Sequence, residues 1–274
     1  MGFGGMHLGT GGTILLIVLS LIFKTNFFSM LSGGGGSYAG GNGAPMSAPA
    51  SRSGAPVAAS STEEREHQLA IFVVNDVQHT WETLLPEQTN TRYRHAKLVL
   101  FRNQWPSPCG AASEATGPFY CPGDEKVYLD LGFFDELSRR FGAPGDFAQA
   151  YVIAHEFGHH VQKILGIEQQ VTEAQERNRS QVNPLSVRLE LQADCFAGIW
   201  GKTAAERKII NADDVRQGLA AAAAVGDDRL QRMAGRQVSP ETFTHGSSAQ
   251  RMQWFQTGMQ QGSVKACNTF NSGQ

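Results

Sequence analysis

Residues 150–162 read AYVIAHEFGHHVQ, an apolar stretch of helical period that carries two histidines four positions apart. Positions i and i+4 of a helix share a face, so His155 and His159 point the same way. Both imidazoles can therefore reach one Zn²⁺ ion at about 2.0–2.1 Å. Glu156, one step round the helix, borders such an ion without binding it and can take a proton from a water held there. By composition alone, a His-Glu-x-x-His sequence has a chance of about one in a hundred in a chain of this size. Gly158 costs a helix roughly 1 kcal/mol relative to alanine. It makes sense there if another backbone or a substrate must approach closely.

Catalytic zinc takes three protein ligands and keeps one position for water. The best third ligand lies downstream in RLELQADCFAGIW, where Glu190 and Asp194 are again four apart. Glu190 can bind the metal. Asp194, one turn on, can accept a hydrogen bond from the other nitrogen of a ligand histidine and fix its tautomer. Leu189, Leu191, Ala193, Phe196 and Ala197 surround the two acids, and carboxylates on a mostly buried helix need a partner. Glu173 and Glu176 are rival ligands, but their stretch, VTEAQERNRSQ, reads as a solvated surface.

The combination His155-Glu156-x-x-His159 followed by Glu190-x-x-Ala193-Asp194 resembles zincin metallopeptidases of the glutamate-ligand type. The chain is similar, from its N-terminal apolar segment to PETFTHGSSAQR near the C-terminus, to the bacterial putative neutral zinc metallopeptidase family. In that family a membrane segment and a glycine-rich linker precede the catalytic domain. The resemblance implies one Zn²⁺ per chain and a peptide or protein substrate, hydrolysed at peptide bonds, with an endopeptidase as the leading form. It carries no substrate identity.

Zincins often use a distant His, Tyr or Arg to stabilise the oxyanion formed as water adds to the carbonyl. His245, in the polar loop Thr244–Ser248, is the candidate here, with a loop-packing or helix-capping histidine as the alternative. Arg251 and Tyr128 are weaker candidates. His160 points away from the His155/His159 face, which suits a supporting or surface role. His7, His67, His79 and His95 show no partner pattern and read as structural or solvated.

The N-terminus is separate in character. Residues 14–23, ILLIVLSLIF, extend from Leu8 to Leu31 with Lys24 as the one charge. Residues 1–31 are thus expected to form an uncleaved membrane anchor. A buried core helix and a cleaved signal peptide are the alternatives. The second lacks a charged residue ahead of the apolar run. Residues 32–61 are rich in Gly, Ala, Ser and Pro and hold almost no large apolar side chain, which predicts a disordered linker. Residues 62–274 form the predicted zinc metallopeptidase domain.

Within it, Ser61 and Glu64 stand at capping-box spacing ahead of a helix with Leu69, Phe72, Val73, Val77, Trp81 and Leu84 at helical period, closed by Pro86. Strands are expected over 95–101 and 126–131 and a short helix over 133–141. Longer helices are expected over 146–165, from Asn183-Pro184 to about 207, over 212–225 and over 248–261. Gly166 is the expected stop of the helix at 146–165. The strand KVYLDL can serve as an open edge to which an extended peptide adds, or as an ordinary interior strand. The fold class is α+β and zincin-like, mostly helical with a small sheet.

Four cysteines allow three pairings, or four free thiols in a reducing compartment. The expected disulfides are Cys109–Cys121, across a short loop rich in Pro and Gly, and Cys195–Cys267. Lys24 after the apolar run weakly favours a cytoplasmic domain. The cysteines and the family resemblance favour the extracytoplasmic, periplasmic side. With 23 basic and 25 acidic residues the net charge is −2, which offers no field for nucleic acid. The glycines at 33–36 lack the Lys and Ser/Thr of a phosphate-binding loop. Three readings compete: a membrane-anchored zinc peptidase; a zinc-binding, membrane-tethered scaffold or chaperone that does not cleave; and an accidental motif in a helical binding module, against which the Glu190/Asp194 helix counts. The presence of Glu156 favours the first.

Overall fold

The structure, a computed structural model, describes residues 61–113, 117–139 and 145–270. The predicted membrane anchor and almost all of the predicted linker lie outside the described residues. Among the described residues no helix is long and apolar enough to cross a membrane.

Helix α1 spans Ser61–Thr89. Its buried stripe is Ala70, Val73, Val77, Trp81 and Leu85, at the three- and four-residue steps of a helix face. Phe72, expected on that face, is 50% exposed. The helix also runs past Pro86, which removes only one backbone donor and sits within the last turn. Asn90 N–H to the Pro86 carbonyl (3.1 Å) and the Thr89 hydroxyl to the Leu85 carbonyl (2.7 Å) then finish the end.

Five strands follow: β1 (Lys97–Phe101), β2 (Gln104–Ser107), β3 (Gly110–Ser113), β4 (Phe119–Cys121) and β5 (Lys126–Asp130). Three of them form one sheet in the order β1-β5-β4, with β1 parallel and β4 antiparallel to β5. β2 and β3 make a separate antiparallel hairpin. The KVYLDL strand is therefore the central strand, and the edge reading is corrected: both flanks of β5 are already paired. Asp130 ends it, accepting from the N–H groups of Asn103 (3.0 Å) and Gly132 (2.8 Å).

Helix α2 covers Gly132–Arg139 and α3 Asp146–Ile164. Helix α3 is buried on nearly every side and forms the axis of the domain. Gly166, at φ 72°, stops it with a bond from its N–H to the Lys163 carbonyl (3.1 Å). The next stretch, expected to be solvated surface, is helix α4 (Ile167–Arg177). It turns Val171 and Gln175 inward and leaves Glu173 and Glu176 exposed. Helix α5 spans Val182–Glu206 and begins one residue before the expected cap. A 3-10 turn, Arg179–Gln181, leads into it. Asn178 caps that turn, and the Asn183 amide reaches across to the Glu241 carbonyl instead (3.1 Å). Helices α6 (Ala212–Ala224), α7 (Asp227–Met233) and α8 (Ser248–Gln261) complete the fold. Capping boxes at Asn211/Asp214 and Ser247/Gln250 open α6 and α8.

The architecture is α+β, a helical layer with a small sheet on one flank. Helix α5 packs tightly against α8. A β-carbon at Gly198 would stand 2.1 Å from the Phe255 carbonyl, and one at Gly258 would stand 2.0 Å from the Cys195 carbonyl. Only glycine lets α5 and α8 meet this closely. The Cys195–Cys267 disulfide ties α5 to the chain just beyond α8, and Cys109–Cys121 ties the hairpin to β4. Both pairs are those expected. Closing 72 residues, the first removes roughly 4 kcal/mol of chain freedom from the unfolded state on the loop-entropy account.

Candidate metal centre

The site lies where α3 meets α5. At Gly158 an added β-carbon would be 2.9 Å from the Ala193 carbonyl oxygen and 3.0 Å from its Cα. The close approach expected at Gly158 is thus that of the α5 backbone. It sets the separation of the two helices that carry the candidate ligands. Gly158→Ala forces backbone against backbone, and is expected to cost about 1–3 kcal/mol. It should also weaken metal binding, because the ligands move apart with the helices. Denaturant unfolding in chelator and a zinc titration measure the two effects. Native values in both would show that the helices do not depend on this contact.

His155 Nε2 and His159 Nε2 stand 3.2 Å apart, and the Glu190 carboxylate is 3.2 Å from the first and 3.6 Å from the second. A tetrahedral ion with bonds of about 2.0–2.1 Å spaces its ligand atoms about 3.3 Å apart. The triangle has that size. Among the described residues these three side chains are the one group of His, Cys, Asp and Glu that could hold a metal.

The proton positions point the same way. His155 Nδ1 faces Asp194 Oδ1 at 2.9 Å and His159 Nδ1 faces the Gln162 side-chain oxygen at 2.9 Å. Each partner accepts, so each Nδ1 carries the hydrogen and each Nε2 presents a lone pair. Two lone pairs 3.2 Å apart repel unless a cation or a proton lies between them. Burial opposes a proton, but Asp194 and Glu190 favour it and push His155 up to about 10. Burial depresses His159 to about 4. Burial works against the Glu190 anion, yet the two imidazoles hold its carboxyl well below the usual range. A dication would take the place of that one proton and satisfy all three groups.

Asp194 is fully buried and serves as the hub behind the triangle. It receives His155 Nδ1–H, the Tyr151 hydroxyl (2.5 Å), Arg251 Nε (2.8 Å to Oδ2) and Arg251 Nη2 (2.9 Å to Oδ1). Burial would raise its carboxyl, but Arg251 and His155 hold it below the ordinary value. Arg251 is itself buried in this network, with its guanidinium turned to Asp194. Tyr128 is buried too, with its hydroxyl on Asp124 (2.7 Å) and its ring stacked on Phe119. Both weaker oxyanion candidates are thereby corrected.

Glu156 is 8% exposed, and its Oε2 accepts the Tyr120 backbone N–H at 2.8 Å. Burial, countered by His155 and reinforced by Glu190, pushes its carboxyl up to about 7. Tyr120 lies on β4, the edge of the sheet among the described residues, and its N–H turns away from β5 toward the site. N–H groups alternate along a strand, and the neighbours on the same side, Pro118 and Pro122, have none. Over Pro118–Pro122 the open edge of β4 thus carries a single donor, already spent on Glu156.

His160 is fully buried, not at the surface. It bridges the Tyr120 hydroxyl (2.9 Å) and the Arg94 carbonyl (2.6 Å), locking α3 to the sheet. His95 pairs with exposed Glu82. His245 sits on a loop organised by Asp227. One Asp227 oxygen accepts the N–H groups of Thr244, His245 and Gly246, and the other faces His245 Nδ1 at 3.1 Å. Burial lowers His245, but Asp227 and then Glu190 outweigh it and raise it. His245 in turn helps hold the Glu190 carboxyl low, after the two imidazoles nearest to it.

Sequence reasoning did not find Tyr151, Gln162, Gln192, Asp227 or the Tyr120 N–H. Two left a trace: Tyr151 precedes His155 by four residues and Gln162 follows His159 by three, each on the same helix face. Gln192, Asp227 and Tyr120 enter through tertiary packing.

Two imidazoles and a glutamate facing one another, with a second glutamate next to them on the helix, form the ligand pattern of catalytic zinc in peptidases. The chain belongs to the family described as "Putative neutral zinc metallopeptidase", whose pattern matches residues 1–270. It is similar to Uncharacterized protein YpfJ of Escherichia coli, with 41% identity over 275 residues, covering 98% of this chain and 91% of that protein. It is also similar to Uncharacterized protein Rv2575 of Mycobacterium tuberculosis, with 43% identity over 209 residues, covering 72% of this chain and 68% of that one. No solved structure matches it.

Proposed function

We propose that the protein is a membrane-anchored zinc metallopeptidase that hydrolyses peptide bonds. The observation that carries this reading is the triangle of His155, His159 and Glu190, sized for one tetrahedral ion, with Glu156 buried beside it. Bound zinc would supply Lewis acidity, activating water and polarising the scissile carbonyl. Glu156 uses Oε2 to hold the Tyr120 N–H, which leaves Oε1 to take the water's proton and deliver it to the leaving amine. A carboxyl near pH 7 can do both. His245, steadied at Nδ1 by Asp227, offers Nε2 to the oxyanion. We place the domain on the extracytoplasmic side of the membrane, tethered through residues 1–61. Two disulfides, which persist in oxidising compartments, support that side.

The test is digestion of a diverse peptide mixture by the zinc-loaded chain, read by mass spectrometry. Internal cleavage is expected, lost on chelation and restored by stoichiometric zinc. Zinc uptake without any cleavage would favour the tethered scaffold. His245→Ala is expected to lower kcat by about 10²-fold or more with zinc still bound. An unchanged kcat would remove His245 from the mechanism.

A further inference from the structure

The two histidines of the triangle are oriented by different devices. His155 is set by an anion, Asp194, that Arg251 neutralises. Among the described residues no charged group contacts His159 Nδ1; its partner is the Gln162 amide oxygen, 2.9 Å away. An amide can face either way, and only its acceptor end produces the required tautomer. What fixes the Gln162 amide is therefore part of the site.

The remaining bonds answer this. The Gln162 side-chain nitrogen donates to the Leu189 carbonyl (2.7 Å) and to the Gln192 side-chain oxygen (3.1 Å). The Gln192 nitrogen donates to the Cys267 carbonyl (3.0 Å). Backbone carbonyls can only accept. The Cys267 carbonyl turns the Gln192 nitrogen toward itself and its oxygen toward Gln162. The Leu189 carbonyl and that oxygen together turn the Gln162 nitrogen away from His159. Gln162 Oε1 is left to accept Nδ1–H, and His159 Nε2 is left bare. Both glutamines are at most 4% exposed, so water does not compete for these bonds. The far end is firm, because Cys267 is disulfide-bonded to Cys195 on α5.

We propose that Gln162 and Gln192 are positioning residues, a neutral amide relay from the Cys267 and Leu189 carbonyls that holds His159 in the tautomer able to bind the metal. This rests on the zinc reading above, and it adds to that reading how the second histidine is prepared without any charge.

The experiment measures the zinc dissociation constant of the purified full-length chain, by competition with a chromophoric chelator, for the native protein and three variants. Thermal unfolding in chelator runs in parallel. Gln162→Leu removes the acceptor and is expected to weaken zinc binding about 10–100-fold. Gln192→Met keeps the length but frees the Gln162 amide to flip, and is expected to weaken binding several-fold. Gln162→Glu keeps an acceptor on Nδ1 and is expected to bind within a few-fold of native. A purely structural role predicts a different order, in which zinc affinity follows unfolding temperature and the buried charge of Gln162→Glu is the most harmful change. That order, or native affinity in a cooperatively folding Gln162→Leu or Gln192→Met, overturns the relay alone. A native chain that takes up no zinc overturns the zinc reading, and the relay with it. If Gln162→Leu fails to fold, the comparison of Gln192→Met with Gln162→Glu decides.

Discussion

Glu156→Gln is expected to lower peptide hydrolysis by at least about 10²–10⁴-fold while zinc binding stays intact. The substitution is nearly isosteric. Its amide oxygen still accepts the Tyr120 N–H, so the side chain stays in place. What disappears is the proton acceptor. The fold should not weaken, because the burial that pushes Glu156 up to about 7 penalises a charge that glutamine lacks. Turnover per bound zinc, with thermal unfolding of the same sample, measures both halves. Residual cleavage near the native rate would mean that another group serves as base, and the assignment of Glu156 would be wrong.

Arg251→Met is expected to destabilise the metal-free chain by about 3–5 kcal/mol. Asp194 is fully buried, and Arg251 makes two of the hydrogen bonds to its carboxylate. Without the guanidinium, that charge keeps, among the described residues, the Tyr151 hydroxyl and His155. The double variant Arg251→Met/Asp194→Leu removes the orphaned charge and should recover most of the stability. It should not recover zinc affinity, expected about 10–100-fold below native, because His155 Nδ1 no longer has its acceptor. Urea unfolding in chelator, paired with zinc competition, separates the two effects. A single variant as stable as native would mean that the carboxylate is compensated elsewhere.

Much of the helical framework was legible. The α3, α6 and α8 spans match the expected ranges to within a residue. Helix α4 was missed because its inward face holds little more than Val171 and Gln175 amid polar residues, too thin a stripe to read. The short strands β2, β3 and β4 were missed because three or four residues show no alternation. The sequence left KVYLDL open between edge and interior strand, because strand order is not a local property. Parallel β1 arrives from one side and β4 folds back on the other.

The chemistry of the site was local and therefore visible. His155, His159, Glu190 and Asp194 are pairs at i, i+4, a spacing that any helix turns into a shared face. Everything that depends on two elements meeting was decided by tertiary structure. Arg251 looked like a candidate for the open side of the site, and packing of α8 through Gly258 put it behind the candidate ligands instead. The Tyr120 N–H, the Asp227 carboxylate and the Cys267 carbonyl all come from distant segments, and no spacing rule links them to the triangle. Sequence alone determined which ligands share a helix face, because helical period is an intrachain geometry. Only the tertiary structure decided how those ligands are protonated and oriented, because the groups responsible are brought there by burial.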